Sequence, residues 1–439
     1  MKILRKKTTP VPVRHPRPRI AFKTLGCKAN RAESDLLSEK LEMAGHKIVD
    51  SYGWPDIYIV NTCSVTNEAD KKSRQAIRAL KRSCSKARIF VFGCGVLAHR
   101  DFYKSMPEVD FAAAEPSEIL KKIRGGRGCW RGTGVNLNVN RTRAVIKIQD
   151  GCNNSCSYCI VRILRGREKS YPMKEILKRI NQKVSEGYKE IVLTGINITS
   201  WRGTGVLERD GGVNDFTDLI RMILDNTAVN RLRISSIEPE SVNRKFSLLL
   251  REQRLCPHIH LPLQSGSNKI LELMRRKYDT KKFAAACRLI KSFSPDAAIT
   301  TDIIVGFPNE TEKDFQETVR LCEKIEFAKI HVFPYSPRRG TPASVMPDQI
   351  DVKIKARRAK ILRNLSDKLR LKFIKARLGK IYEVLFEERK RGAADNVWSG
   401  LTPNYIKVNV NSRSLNANII KKIKLLRQTK NTDVIGKII

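Results

Sequence analysis

The stretch Ala144-Val145-Ile146-Lys147-Ile148-Gln149-Asp150-Gly151-Cys152-Asn153-Asn154-Ser155-Cys156-Ser157-Tyr158-Cys159 joins an apolar, strand-like run to three cysteines spaced C-x3-C-x2-C. Three soft thiolates on one short loop can hold an iron–sulfur cluster and leave one iron without a protein ligand. An open position of that kind is where chemistry is done, as in catalytic zinc sites. The alternatives are a structural metal knuckle or cysteines that merely pack. Zinc knuckles usually join a C-x2-C to a second pair, and no such pair stands nearby in the sequence.

Working downstream, strand-like runs recur at Ile191 to Thr194, Leu232 to Ile234, Ile259 to Leu263, Ile299 to Val305 and Ile330 to Phe333. Helical segments separate them at Lys174 to Val184, Phe216 to Leu224, Thr280 to Ile290 and Asp314 to Ile325. Six such βα units predict an open or partial barrel, whose active site lies at the carboxyl ends of the strands. The cysteine loop follows the first of these strands and so falls at that end.

Upstream the same alternation predicts a separate parallel sheet. Its strands are Ile20 to Leu25, Ile57 to Val60 and Ile89 to Phe92, followed by helices such as Asn30 to Ala44 and Asn67 to Leu80. Each strand runs into a cysteine: Cys27, Cys63 and Cys94. The carboxyl ends of parallel strands line the ligand crevice of an open sheet, so three thiols far apart in sequence can converge there as a second metal site. Buried free cysteine is common, and each alone reads more readily as core than as ligand. Cys84, Cys129, Cys256, Cys287 and Cys322 have no such placement and read as structural or incidental. The six histidines are scattered and argue against a histidine-based zinc site.

The basic, proline-bearing residues 1–18 predict a disordered arm, and a Gly-rich stretch from Gly125 to Gly134 marks a boundary. Residues 351–378 predict a long helix with Ile361, Leu365, Leu369 and Phe373 on its apolar face and many Lys and Arg elsewhere. Beyond Gly379, β-like runs at Tyr382 to Phe386 and Tyr405 to Val410 predict a small β-barrel. The expected α/β architecture is thus an N-terminal parallel-sheet domain over 19–135, a partial (β/α)6 barrel over 136–375 and a C-terminal β-barrel over 376–439.

Lys and Arg number 85 against 44 Asp and Glu, a formal charge of +41. That excess implies a polyanionic partner, nucleic acid first among them. No apolar run approaches the length of about 18 residues needed to cross a bilayer. The amino terminus lacks the apolar core of a signal peptide, so reduced, metal-available cysteines and a cytoplasmic location are expected.

Taken together the motifs resemble the radical S-adenosylmethionine methylthiotransferase family over nearly the whole chain past the arm. They are Thr24-Leu25-Gly26-Cys27-Lys28-Ala29-Asn30, Asn61-Thr62-Cys63-Ser64-Val65-Thr66, Phe92-Gly93-Cys94 and Gln149 through Cys159. They continue with Leu193-Thr194-Gly195-Ile196-Asn197, Ser235-Ser236-Ile237-Glu238-Pro239, His260 through Gly266, Gly306-Phe307-Pro308 with Glu310-Thr311, and Tyr335-Ser336-Pro337-Arg338. The resemblance implies two [4Fe-4S] clusters, an auxiliary one on Cys27, Cys63 and Cys94 and a radical one on Cys152, Cys156 and Cys159. The open iron of the latter takes S-adenosylmethionine, whose reductive cleavage gives a 5'-deoxyadenosyl radical. It also implies that Tyr158 lies near the adenine, that Asn197, Ser236 and Glu238 hold the methionine and ribose groups, and that the last domain is a TRAM-like RNA-binding barrel with Tyr405 stacking on a base.

Members of this family act on threonylcarbamoyladenosine in tRNA, on isopentenyladenosine in tRNA, or on an aspartate of a ribosomal protein. The Gly-Cys-Lys-x-Asn form at Cys27 and the Gln-Asp-Gly-Cys-Asn-Asn form at Cys152 resemble the first group. The expected function is therefore methylthiolation of N6-threonylcarbamoyladenosine at position 37, with the anticodon stem-loop of tRNA as partner and an unidentified reductant and sulfur donor. A non-enzymatic alternative is an iron–sulfur RNA-binding factor. Two departures, Arg162 in place of a common proline and Asn309 in place of a glycine, put local loop shape in question.

Overall fold

The computed structural model describes residues 17–50, 53–124, 142–203, 215–389, 396–429 and 432–439. Most of the expected arm, Cys129 and the whole Gly-rich boundary lie outside these. The chain packs as two compact units. The first takes in the described residues up to Leu25, Ser34–Thr62 and those from Lys72 to Arg124. The second takes in Gly26–Glu33, Cys63–Lys71 and the described residues from Thr142 onward.

In the first unit, strands Arg19–Thr24, Ile57–Thr62 and Arg88–Gly93 form a parallel sheet, with short strands Lys47–Ile48 and Phe111–Ala112 at its two edges. The strand Ile57–Thr62 is buried along its whole length, as its unbroken run Ile57-Tyr58-Ile59-Val60 requires of a strand covered on both faces. Strand order reverses between Arg19–Thr24 and Ile57–Thr62. That switch point is where an open α/β sheet offers its crevice, and Cys27 and Cys63 follow these two strands.

The second unit holds six parallel strands in consecutive order: Arg143–Lys147, Glu190–Thr194, Arg231–Ile234, His258–His260, Ala298–Val305 and Lys329–Pro334. Single bridges between Leu232 and Leu255 and between Ser236 and His260 join the two halves into one curved, open barrel. Its outer core is continuous, from Ile146 and Ile191 through Phe246 and Phe283 to Leu362. The helix Val352–Lys375 begins at Asp351, whose carboxylate caps the Lys353 amide at 2.7 Å.

That helix corrects one expectation. Its buried face carries Arg358, Ala359, Leu362, Leu365, Ser366 and Leu369, while Ile361 is 38% exposed. A repeat of four drifts by about 40° per step against 3.6 residues per turn, so a four-residue ladder cannot stay on one face. Part of the basic face is also spoken for, because Arg358 pairs with buried Glu310 at 2.7 Å.

The last five strands, Ile381–Arg389, Val397–Leu401, Lys407–Asn411, Ile420–Gln428 and Val434–Ile438, close into a barrel around Val384, Phe386, Val408 and Leu425. It seats under the amino ends of the large barrel's strands. Arg231 donates to the carbonyls of Leu401 and Glu383, and Arg233 to that of Pro403. Tyr405, expected within a strand, stands in the turn before one at φ 67°.

Asn309 takes φ 66° and donates its side-chain amide to the Pro347 carbonyl at 3.2 Å. Asparagine is the residue that best replaces glycine in this left-handed region, so the loop keeps its shape. Arg162 lies in the short helix Val161–Arg165, which a non-proline residue continues without strain.

Candidate active site

Cys152, Cys156 and Cys159 project from the loop after the first barrel strand. A turn from Cys159 N–H to the Cys156 carbonyl at 3.1 Å folds the loop, and Cys152 N–H is tied to the Gly166 carbonyl. The Asn154 amide donates to Cys152 Sγ at 3.4 Å. Burial pushes the Cys152 thiol up and the Cys159 thiol up to about 11, so these groups need a metal to ionise them near neutrality. Arg276 donates to Cys156 Sγ at 3.2 Å and to the Glu238 carboxylate, while its Nε bonds the Tyr278 hydroxyl. Tyr278 in turn donates to the Pro262 carbonyl at 2.6 Å, which fixes the guanidinium over the loop. Burial, partly offset by Arg276, leaves the Glu238 carboxyl above its ordinary range.

Tyr158 packs among Ile270, Met274, Phe307 and Tyr335, and burial pushes its hydroxyl well up. Asn197 sits at the turn after the second strand. Its amide and that of Ile196 both donate to Gln149 Oε1, at 2.8 and 3.1 Å, while Gln149 Nε2 donates to the carbonyls of Asp150 and Gly151. One fully buried glutamine thus locks the start of the cysteine loop to the neighbouring strand end. Ser236 lies at the end of the third strand, beside Ser235, whose buried hydroxyl has no hydrogen-bond partner among the described residues.

Cys27 and Cys63 belong to the same unit as this loop. Gly26, at φ 95°, lets them approach: a Cβ there would stand 2.9 Å from Cys63 Sγ. Cys27 precedes the helix Lys28–Met43, and its thiol donates to Asn30 Oδ1 at 3.6 Å. The same Asn30 oxygen accepts from Arg165 at 2.7 Å, and Arg165 and Lys147 both pair with Glu33, at 2.5 and 2.6 Å. A buried ionic network therefore ties the Cys27 segment to the residues flanking Cys152 to Cys159. Arg338 does the same for Cys63, donating to Ser64 and Asn67 at 2.6 Å and pairing with Asp70 at 2.7 Å. Cys94 lies in the other unit, buried at the start of the short helix Cys94–Ala98.

Inside the barrel a cavity of about 620 Å³ is lined by Cys27, Lys28, Gly195, Ser235, Ser236, His260, Asp302, His331, Arg370 and Tyr405, among others. Ligand atoms of His260, Asp302 and His331 lie within 4.8 Å of one another. His260 bonds Thr300 Oγ1 through Nδ1 at 2.9 Å, and its Nε2 stands 3.3 Å from Asp302. Burial keeps His258 and His331 below the ordinary imidazole range, so both are neutral at pH 7 and offer one donor and one acceptor each. Tyr405 stacks on His258 at 4.5 Å with Arg233 4.7 Å from its centroid, and its hydroxyl accepts from Arg143 at 3.2 Å. It meets the interior of the cavity.

Residues 146–322 match the radical SAM superfamily, and residues 19–114 match the uncharacterized protein family UPF0004. The threonylcarbamoyladenosine tRNA methylthiotransferase MtaB of Bacillus subtilis is 36% identical over 93% of this chain and 94% of its own length. The chain belongs to the radical S-adenosylmethionine methylthiotransferase family. The tRNA-2-methylthio-N(6)-dimethylallyladenosine synthase of Pelotomaculum thermopropionicum is 35% identical over 84% of this chain and 86% of its own. Among solved structures, the radical S-adenosylmethionine methyltransferase TsrM of Kitasatospora setae aligns over 75% of each chain with a TM-score of 0.52 at 16% identity, a likeness of fold.

A member of this family is an enzyme that uses a [4Fe-4S] cluster and S-adenosylmethionine. The residues present fit both: three thiols on one loop with no fourth close by in sequence, and a buried hydroxyl, Ser235, unpartnered among the described residues, on the wall of the cavity. Sequence reasoning gave no role to Gln149, Arg165, Arg276 or Arg338. Gln149 and Arg338 stand inside motifs that were recognised, so their presence there was a signal; Arg165 and Arg276 carried none. Among the five other cysteines, Cys256, Cys287 and Cys322 lie in the core and Cys84 beside that of the first unit. Among the described residues no helix is long and apolar enough to cross a membrane.

Proposed function

We propose that the protein replaces C2–H of N6-threonylcarbamoyladenosine at position 37 of tRNA with a methylthio group. The observation that carries this is the shared cavity: Cys27 lines the same chamber as the strand-end hydroxyls Ser235 and Ser236, in one unit with the loop of Cys152, Cys156 and Cys159. The choice of adenosine rests on the likeness to the Bacillus subtilis enzyme and on the Gly26-Cys27-Lys28 form of the first cysteine motif.

In this reading Cys152, Cys156 and Cys159 hold the radical cluster, and Cys27, Cys63 and Cys94 hold a second one. When bound, cluster and S-adenosylmethionine together supply a primary carbon radical able to take hydrogen from an unactivated C–H. Arg276 fixes Glu238 and stands against Cys156. Asn197, Ser236 and Glu238 receive the polar groups of S-adenosylmethionine, and Tyr158 lies by its adenine. The neutral imidazole of His331 offers a base an edge contact, and Tyr405, stacked on His258, stands at the cavity wall as the RNA-facing aromatic. Outside the barrel, Lys353, Lys360, Arg363, Lys368 and Lys375 are exposed along the helix Val352–Lys375 and give the RNA backbone a cationic track. A reductant and a sulfur donor come from outside the chain, and the cytoplasm is the compartment in which tRNA meets it.

Mass spectrometry of nucleosides from total tRNA, with and without the gene, tests the reading. Loss of 2-methylthio-threonylcarbamoyladenosine is expected. Loss of the isopentenyl counterpart instead, or of a modified ribosomal-protein aspartate, would reject the substrate. Anaerobic reconstitution should bring about eight irons per chain, and a value near four would reject the second cluster.

A further inference from the structure

Resting on that reading, we propose that Lys28 is a specificity-determining residue: its ammonium, presented to the barrel cavity beside Cys27, receives the carboxylate of the threonylcarbamoyl arm. Among the described residues three cations line this cavity, Lys28, Lys329 and Arg370. Lys329 stands 3.6 Å from Asp367, and Arg370 donates to the Tyr405 carbonyl at 2.9 Å. Lys28 has neither an ion-pair nor a side-chain hydrogen-bond partner among the described residues. Its side chain is accessible, and the space it is accessible to is the cavity.

The charge around it leaves room for an anion. Arg233 and Arg143 both act electrostatically on Lys28, and the nearby carboxylate, Glu190, is already committed to Arg233 at 2.7 Å. Asp302 stands 3.3 Å from His260 Nε2. The chamber wall thus carries more positive than negative charge, with one ammonium uncommitted. A threonylcarbamoyl arm ends in one carboxylate, and an isopentenyl arm ends in methyl groups. An uncommitted ammonium facing the cavity gives the first a charge-assisted partner and offers the second none.

The test measures binding of anticodon stem-loops to the reconstituted protein by fluorescence anisotropy. Three stem-loops are compared, bearing threonylcarbamoyladenosine, its neutral carboxamide analogue, or plain adenosine at position 37. The native protein should bind the acid about tenfold or more tightly than the amide, as a charge-assisted hydrogen bond in a partly desolvated site allows. In Lys28→Gln that ratio should fall to near unity with affinity for the amide unchanged, and Lys28→Arg should restore part of it. Iron content and thermal unfolding of each variant show that it is folded and loaded.

A ratio that survives in Lys28→Gln overturns the assignment. So does an equal loss for all three stem-loops, which marks a phosphate contact, or an altered cluster spectrum with the ratio intact, which marks a partner of the cluster. If the native protein methylthiolates isopentenyladenosine in the nucleoside assay, it is the substrate reading that fails; a preserved ratio alongside 2-methylthio-threonylcarbamoyladenosine refutes Lys28 alone.

Discussion

Cys152, Cys156 and Cys159 come from one short loop, whereas Cys27 and Cys63 come from separate segments that meet beside the same barrel. Chain connectivity alone keeps the first three within reach of one another. The other two need devices at a distance. Gly26 removes a Cβ that would crowd Cys63 Sγ, while Arg165 and Arg338 fasten each segment through buried charge. A contiguous ligand set is robust to what surrounds it, and a dispersed one is only as good as its anchors.

The largest effect separates the two sets directly. Cys156→Ala should abolish both S-adenosylmethionine cleavage and methylthiolation and leave about four irons per chain. Cys63→Ala should keep cleavage, read as 5'-deoxyadenosine formation after reduction, and lose only the methylthio product. Equal loss of cleavage in both would erase the distinction.

Next, Arg338→Met strands Asp70, 4% exposed, without its guanidinium and should cost about 3–5 kcal/mol in urea unfolding. Arg165→Met should cost less, since Lys147 still reaches Glu33. The reverse order would show that the Cys27 segment is the harder one to hold.

The barrel floor gives a control remote from both sets. Burial pulls the Glu190 carboxyl up, but the charge and hydrogen bonds of Arg233 hold it below the ordinary range. Its contribution is then fully present above the unfolded value of about 4.3 and is lost as pH falls through the lower folded one. Stability against pH should show this acid limb, and Glu190→Gln should flatten it without changing iron content.

Gly26→Ala should cost about 1–3 kcal/mol, because φ 95° is strained for alanine and the new methyl meets Cys63. Thermal unfolding reads the cost, and iron content should drop below that of the native protein. The smallest effect belongs to a loop with no cluster role. Asn309→Ala should cost about 1 kcal/mol at its left-handed φ, and Asn309→Gly should stay within about 0.5 kcal/mol.

Much of the architecture was legible because periodicity is local. The six barrel strands, the N-terminal sheet and the closing β-barrel all appear where apolar runs and turn residues put them. Where the sequence misled, a longer-range term had won. Ile361 looked buried because a four-residue ladder imitates a helix face, yet true helical pitch turns it to solvent. Tyr405 read as a strand residue, and it stands instead in the turn before the strand, with its ring on His258.

The sequence by itself determined the cysteine loop, its place at the mouth of a parallel barrel and the three strand-end cysteines upstream, since each depends on spacing and on neighbours along the chain. Only the tertiary structure decided that Cys27 and Cys63 pack with the barrel unit, that Arg165, Arg276 and Arg338 serve the cysteines, and that Lys28 faces a cavity with its charge uncommitted. Those facts depend on which side chains meet across hundreds of residues, and burial and ion pairing are properties of that meeting, which no local pattern encodes.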